Sequence, residues 1–236
     1  MRFLLQHAYD ISQTAKDEYE LFENISSFAE HLGFEYCCYG IRMPLPLPTP
    51  TVRIFDTYPS GWMTRYRMSG FLDIDPTVRA GMHSGDLIVW PHSMCAEAPR
   101  LWSDAHDFGI KVGVAHSSWG AHGTFGLLTM SRHADTLTST EVEQLRLPIH
   151  CLSNLCHTRM GQFLRSQLAP KMSVTLTTRE REVLRWTGEG KTSYEIGKIL
   201  GISERTVNFH INNVLLKLTA TNKVQAVVKA VATGLI

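Results

Sequence analysis

The segment from Leu176 to Ile236 contains the densest series of helix-start and helix-stop signals in the chain. Thr177 or its neighbour can cap a first helix whose early glutamates suit the positive end of the helix dipole, and Gly190 suits a left-handed helix end. A second helix from about 193 to 200 is followed by Gly201 and then by a third capped helix. The spacing predicts a helix-turn-helix unit within an all-α, four-helix domain.

The third predicted helix begins after Ser203 and has Val207 and Ile211 on its inner face. In a helix-turn-helix unit this helix enters the major groove, so its outward residues face the base edges. Arginine suits guanine, asparagine suits adenine, and lysine or threonine suits phosphate. The candidate DNA-binding residues are Arg205, Asn208 and Asn212 for bases, with the two asparagines favoured, and Lys191, Thr192, Thr206 and Lys217 for phosphates.

Charge differs between the two parts of the chain. Residues 171–236 contain ten Lys and Arg against five Glu, a net charge of +5, which leaves 13 against 17, or −4, for the rest. A basic small domain fits the neutralisation of DNA phosphates, and its binding should weaken as salt rises. The alternative interpretation of the polar residues on the third helix is the ordinary wet face of an amphipathic helix.

The sequences LTTREREVL, GKTSYEI and ISERTVNFH, followed by KL, resemble the LuxR-type DNA-binding domain over about sixty residues. The resemblance implies that Asn208 and Asn212 contact bases. It also implies that the last helix, about 222–233, pairs two such domains, although its valine stripe fits an intradomain core equally well. A homodimer on an inverted-repeat operator follows, with RNA polymerase as a further partner.

The first 165 residues predict an α+β domain. Strand pairs alternate with helices, which indicates an antiparallel sheet flanked on both faces, an α/β/α sandwich. Pro170 is predicted to end the last helix of this domain, so we assign residues 1–165 to it, 166–174 to a linker and 175–236 to the DNA-binding domain. The predicted helices are 17–31, 61–68, 98–108 and 140–164, and the predicted strands are 34–42, 51–57, 87–90, 112–118 and 123–132.

Aromatic residues cluster between positions 58 and 90 around Asp75. Tyrosine and tryptophan combine a large apolar body with one polar tip, so this group can line an apolar pocket in which a carboxylate accepts a ligand N–H. The alternative is an ordinary aromatic core.

The pattern Y-P-x-x-W-x-x-x-Y, then D-P-T, then W resembles the autoinducer-binding domain of LuxR-type quorum-sensing receptors. The resemblance implies that Trp62 donates to a lactone carbonyl, that Asp75 accepts the amide N–H, and that Tyr58 and Thr129 bind the acyl carbonyl. Thr129 departs from the serine of some relatives but keeps the hydroxyl. Thr77 completes the D-P-T motif, and the residues that would enclose the ligand are Tyr66, Val78, Trp90, Trp102, Ala105 and Ile110.

The segments GFEYCCYGIR, FDTYP and ISERTVNFH resemble receptors that prefer octanoyl-homoserine lactone. Burial of such an acyl tail contributes free energy comparable to the stability of a domain, so binding should couple to folding and dimerisation. An empty pocket is expected to leave Trp62 and Asp75 poorly satisfied. No cofactor is implied.

Other classes of protein fit less well. A response regulator needs an acidic pair after its first strand, and an enzyme needs a recognisable nucleophile, neither of which the sequence offers. The main alternative is a LuxR-type regulator that is ligand-independent or responds to another small molecule. The odd count of cysteines without CxxC spacing, and the lack of a signal-peptide pattern or long apolar run, predict a cytoplasmic protein that is nucleoid-associated when bound to DNA.

Overall fold

The computed structural model describes residues 6, 9–10, 12–46, 49–120, 123–133, 136–172 and 174–236, without the side chains of residues 92–93 and 165–172. The chain divides into two compact units, one made from most of residues 1–165 and one mainly from residues 166–236. Ser173, within the predicted linker, lies outside the described residues. No helix in the described ranges is long and apolar enough to cross a membrane.

A five-stranded antiparallel sheet forms the centre of the first unit. Its strands follow the spatial order β2-β1-β5-β4-β3. In this register Thr129 pairs with Cys38 on one side and Ala115 on the other, so these three residues share a face. The strands are β1 (Tyr36–Arg42), β2 (Val52–Asp56), β3 (Ile88–Trp90), β4 (Val112–Trp119) and β5 (Phe125–Arg132).

Helices cover both faces of the sheet, which confirms the predicted α/β/α sandwich. The apolar stripes of α1 (Glu18–His31) and α5 (Ser139–Met172) pack on the face that carries Leu128 and Met130. The opposite face packs against α2 (Trp62–Met68), α3 (Pro76–His83) and α4 (Pro99–Asp107). Two separate apolar cores therefore lie on the two faces of one sheet.

Two features of the helices differ from the sequence predictions. Helix α3 has no counterpart among the predicted elements, although Asp75 caps it and Pro76 occupies its first turn, a typical helix start. The prediction that Pro170 ends the preceding helix is wrong, because α5 continues to Met172. Proline has a helical φ of about −65° and can lie near a helix end at the cost of one backbone hydrogen bond.

A buried imidazole joins α5 to the sheet. Nδ1 of His157 lies 2.7 Å from the Tyr39 hydroxyl, and Nε2 lies 3.2 Å from Oγ1 of Thr124. The contact needs a glycine opposite it, because a Cβ on Gly126 would come within 2.3 Å of Nδ1. Burial lowers the pKa of His157 to about 4, although a backbone hydrogen bond with Thr124 acts in the opposite direction.

Lowering the pH from 7 to 5 should reduce the free energy of unfolding through His157 by about 2 kcal/mol. The unfolded histidine takes up a proton near its ordinary pKa of 6.5, whereas the folded one stays neutral until about pH 4, so protons favour unfolding in this window. Urea unfolding at both pH values would measure the loss. His157→Gln should lose about 2 kcal/mol less than the wild type on acidification, and an equal loss in both proteins would contradict the assignment.

The second unit is a bundle of four helices, as predicted: α6 (Thr178–Gly188), α7 (Ser193–Leu200), α8 (Glu204–Lys217) and α9 (Lys223–Ala232). Thr177 forms a capping box with Glu180, and Ser203 caps α8. Gly190 and Gly201 have positive φ angles of 78° and 68°, as expected for left-handed helix ends.

The apolar stripe of α7 is narrower than the sequence indicates. Ile196 is fully buried, but Ile199, which we expected in the same stripe, is 45% exposed. Three residues turn an α-helix by about 300°, so position 199 is offset by about 60° from position 196. Ile199 therefore lies at the edge of the face on which Ile196 packs against the neighbouring helices.

Candidate ligand pocket and DNA-binding surface

Asp75 is a buried carboxylate of the first unit that accepts three hydrogen bonds. As the N-cap of α3, it accepts hydrogen bonds at Oδ1 from the backbone N–H of Thr77 (2.8 Å) and from the Thr77 hydroxyl (2.7 Å). Oδ2 accepts a third hydrogen bond from the Tyr66 hydroxyl at 2.8 Å. The side chain is buried, so the sequence around D-P-T fixes a preoriented carboxylate inside the domain.

The expectation that an empty pocket leaves Asp75 poorly satisfied is therefore wrong. Thr77 and Tyr66 supply three donors, because the residue that begins α3 also caps it. A carboxylate has about four lone-pair sites, so one acceptor position is left for a further N–H. Asp75 can thus accept a hydrogen bond from a ligand without first losing a partner.

A cluster of aromatic rings lies beside this carboxylate, which its member Tyr66 contacts directly. The ring centroid of Trp62 lies 5.8 Å from that of Tyr66 and 6.5 Å from that of Tyr58, and Trp90 stacks on Trp102 at 5.4 Å. We call the following group the aromatic cluster: buried Trp62, Tyr66, Phe71, Ile88, Trp90, Ala98, Leu101, Ala105, Ile110, Ala115, Phe125 and Leu127, with half-buried Tyr36, Tyr58, Met63, Val78, Ala80, Met82, Met94, Trp102 and Phe108.

The structure thus brings most of the predicted ligand residues together. Eight of them lie in the aromatic cluster, and Asp75 and Thr77 are tied to it through Tyr66. Thr129 is half-buried on the sheet face that also carries Ala115. The eight residues are Tyr58, Trp62, Tyr66, Val78, Trp90, Trp102, Ala105 and Ile110.

The N–H and O–H groups of the aromatic cluster differ in whether they are free to donate to a ligand. The indole N–H of Trp102 donates to the carbonyl oxygen of Met94 at 2.8 Å, whereas the buried Nε1 of Trp90 has no hydrogen-bond partner among the described residues. Burial raises the pKa of Tyr58 well above its ordinary value, as does the nearby Cys38, so its hydroxyl stays protonated and can donate. An unpaired buried donor is costly, so Trp90 favours occupancy by a group with an acceptor oxygen.

Sequence reasoning missed several members of this cluster. Phe71 is 1% exposed, with its ring centroid 5.9 Å from that of Tyr66 and 6.3 Å from that of Trp62. Phe108 follows α4, and its ring centroid lies 5.5 Å from that of Trp62. Both lie near predicted residues in the sequence, but only the fold shows that they belong to the aromatic cluster.

Helix α8 presents the predicted base readers to solvent. Arg205, Asn208 and Asn212 are exposed, as is Lys191 before α7. Phe209, which we did not predict as a DNA contact, is 60% exposed. It lies four residues from Arg205 and three from Asn212, a spacing that places all three on one helix face and that the sequence already contained.

Three of the predicted phosphate-contact residues already form hydrogen bonds within the domain. The Thr192 hydroxyl donates to Glu195 at 2.8 Å, and the Thr206 hydroxyl lies 2.8 Å from that of Ser203. The Lys217 ammonium donates to Glu180 at 2.6 Å. Burial acts to raise the pKa of Glu180, but hydrogen bonds from Lys217 and Thr177 hold it below its ordinary value. A phosphate contact by Lys217 would use its remaining N–H donors.

Comparison with known proteins finds a family match for each of the two domains. Residues 17–160 match the autoinducer binding domain family, and residues 174–230 match the luxR family of bacterial regulatory proteins. The transcriptional activator protein SolR of Ralstonia solanacearum is 67% identical over 231 residues, which cover 98% of each chain.

Solved structures share this fold. The crystal structure of Escherichia coli SdiA has a TM-score of 0.84 at 31% identity and covers 98% of this chain and 97% of its own. SdiA in complex with octanoyl-rac-glycerol has a TM-score of 0.80 at 31% identity, with 97% and 93% covered. CepR2 of Burkholderia cenocepacia, an N-acylhomoserine lactone dependent LuxR family factor, has a TM-score of 0.61 at 31% identity and covers 69% and 95%.

The matches to an autoinducer binding domain and to the luxR family, with relatives named as transcriptional regulators, define the class as regulators of transcription and not enzymes. The chain belongs to the LuxR family of autoinducer-binding, quorum-sensing transcriptional regulators.

Proposed function

We propose that the protein binds an N-acyl-homoserine lactone, with an octanoyl chain preferred, in the aromatic cluster. The observation that carries this proposal is the combination of the Asp75 acceptor with the unpaired Trp90 donor in one buried aromatic environment. An acyl-homoserine lactone offers one amide N–H and two carbonyl groups at the end of an apolar tail. Asp75 accepts the N–H, and the indole and phenol donors around it bind the carbonyl oxygens.

The resemblance to autoinducer-binding domains assigns the residue roles in this proposal. Trp62 donates to the lactone carbonyl, and Tyr58 and Thr129 bind the acyl carbonyl. Tyr66 and Thr77 hold Asp75 in place through the hydrogen bonds already formed. The tail and ring lie among Val78, Trp90, Trp102, Ala105 and Ile110, where the indole N–H of Trp90 is available to a ligand oxygen.

The length of the acyl chain is proposed from the free energy of its burial and from the structure of a relative. An octanoyl tail has six methylenes, and their burial at about 0.8 kcal/mol each contributes about 5 kcal/mol. SdiA, a relative of the same fold, is solved in complex with octanoyl-rac-glycerol, so an eight-carbon acyl chain fits a related domain. This gain is comparable to the stability of a domain, and it couples ligand binding to folding.

The response to the ligand is proposed as dimerisation and binding to an inverted-repeat operator, because a two-fold dimer presents two copies of α8 to two half-sites. SolR, the 67% identical relative, is a transcriptional activator, and we infer activation through RNA polymerase here as well. We assign residues 1–165 to the sensor, 166–174 to the linker and 175–236 to DNA binding. Because the proposed target is DNA, we propose that the protein acts in the cytoplasm and is associated with the nucleoid when it is bound to DNA.

Thermal unfolding with acyl-homoserine lactones of four to twelve carbons tests the ligand. At a concentration one hundred times its Kd, the preferred lactone should stabilise the protein by about 2.7 kcal/mol, which corresponds to a rise in midpoint of roughly 5–10 °C. The largest rise should occur near the octanoyl chain. A lactone that buries fewer methylenes should give a smaller rise at the same concentration.

Two comparisons make the test selective. Octanoyl-rac-glycerol carries the same tail on a head group with hydroxyl donors but no amide N–H, and with one carbonyl group where the lactone has two. It should stabilise the protein less than octanoyl-homoserine lactone, because it offers fewer acceptors to the indole and phenol donors. Equal midpoints for all lactones, in a protein that binds DNA without them, would replace the proposal with a regulator that is ligand-independent or responds to another small molecule.

A further inference from the structure

A chain of three polar side chains connects α9, α7 and α8. Ser193 is buried at the start of α7, and its hydroxyl lies 2.7 Å from Oδ1 of Asn208 on α8. The Lys223 ammonium, at the start of α9, donates to the same Ser193 hydroxyl at 3.3 Å. Asn208 itself is exposed on the face of α8 that carries the base-reading candidates.

These hydrogen bonds run from Lys223 through Ser193 to Asn208. An ammonium group only donates, so Ser193 Oγ accepts from Lys223. The single hydroxyl hydrogen of Ser193 is then directed to Asn208, where only the amide oxygen can accept it. The oxygen of Asn208 is held on the protein side, and its two N–H donors are left on the solvent side.

We propose that Ser193 is a positioning residue for DNA recognition, which fixes the amide of Asn208 so that Asn208 reads guanine. The bidentate contact between asparagine and adenine uses both the amide oxygen and the amide nitrogen, and here the oxygen is already engaged. Guanine presents only acceptors, N7 and O6, at this edge of the major groove, which suits a donating N–H pair. The inference rests on the proposed role of α8 as the helix that enters the groove.

The test uses the full chain with octanoyl-homoserine lactone and a library of randomised double-stranded DNA. Selection with the wild type gives the preferred base at each operator position. Asn208→Ala identifies the position that depends on Asn208, because preference should be lost there alone. Ser193→Ala, Ser193→Thr and Lys223→Met are then measured on duplexes that differ at that position.

We expect the base that depends on Asn208 to be guanine. Ser193→Ala should reduce discrimination at this position by roughly tenfold, and the double variant Ser193→Ala/Asn208→Ala should match Asn208→Ala alone. Ser193→Thr, which keeps the hydroxyl, should restore discrimination, and Lys223→Met should lower it. Ser193→Ala should leave the salt dependence of binding unchanged, because no phosphate contact is lost.

A dependence on adenine, or Ser193→Ala and Asn208→Ala effects that simply add, would overturn the inference. Loss of preference at every position in Ser193→Ala would also overturn it, because this would indicate general damage to the domain. These results differ from failure of the proposed function, in which the wild type itself would select no inverted repeat.

Discussion

Asp75→Asn is expected to weaken the binding of octanoyl-homoserine lactone by about 10- to 150-fold, the cost of about 1.5–3 kcal/mol for losing a hydrogen bond to a charged group. The variant should still fold, because asparagine is also a good N-cap and its Oδ1 can accept from the backbone N–H of Thr77. The position near Tyr66 is then occupied by an amide N–H, which cannot accept a hydrogen bond from the ligand.

Calorimetric titration of wild type and variant with the lactone would measure this effect. The matched control is Asp73→Asn, which makes the same chemical change two residues away on the exposed end of a short 3-10 turn. It should leave affinity unchanged. If Asp75→Asn bound the lactone as tightly as Asp73→Asn, the ligand amide would not contact Asp75, and the proposed orientation in the pocket would be wrong.

Gly113→Ala should destabilise the sensor domain by about 1–3 kcal/mol or more, the usual range for overpacking. Gly113 lies on β4, between Trp90 on β3 and Ser131 on β5. An added Cβ would come within 2.4 Å of the Met130 carbonyl oxygen and also within 2.4 Å of Cζ2 of Trp90. The backbone oxygen cannot move without breaking the sheet ladder, so Trp90 must also shift and ligand affinity should fall.

Thermal unfolding with and without lactone would separate the two effects. Gly40→Ala is the control, because Gly40 lies on β1 of the same sheet and a Cβ there would meet no atom of the described residues within 4 Å. Gly113→Ala should lower the midpoint by roughly 2–4 °C for each kcal/mol lost and should also reduce the rise that ligand produces. Equal midpoints for the two alanine variants would show that β4 can accommodate the methyl group.

The sequence predicted the architecture well where local signals and tertiary packing agree. The caps at Thr177 and Ser203 and the glycine turns delimit the helices of the second unit at positions that the structure confirms. In the first unit, alternating apolar runs located all five strands. The sequence prediction lacks helix α3, although Asp75 and Pro76 form a typical helix start.

Contacts between distant residues could not be predicted from the sequence. The hydrogen bonds that satisfy Asp75 depend on how α2 approaches α3, and the unpaired indole of Trp90 depends on the close packing of β3 against β4. The same holds for Ser193 and Asn208, which are fifteen residues apart and meet only because α7 crosses α8. Spacing along the chain indicates which residues can bind a ligand or DNA. The fold determines which of their hydrogen-bond donors and acceptors are left unpaired.

The double role of Asp75, as cap of α3 and as hydrogen-bond acceptor of Tyr66, limits how the receptor can be retuned to other signals. Replacement of this side chain alters a helix start and a tyrosine hydroxyl together with the ligand contact. Val78 and Ile110 belong to the same cluster through apolar packing. A new acyl specificity is therefore most accessible through changes of side-chain volume at such positions, with the polar head-group recognition held constant.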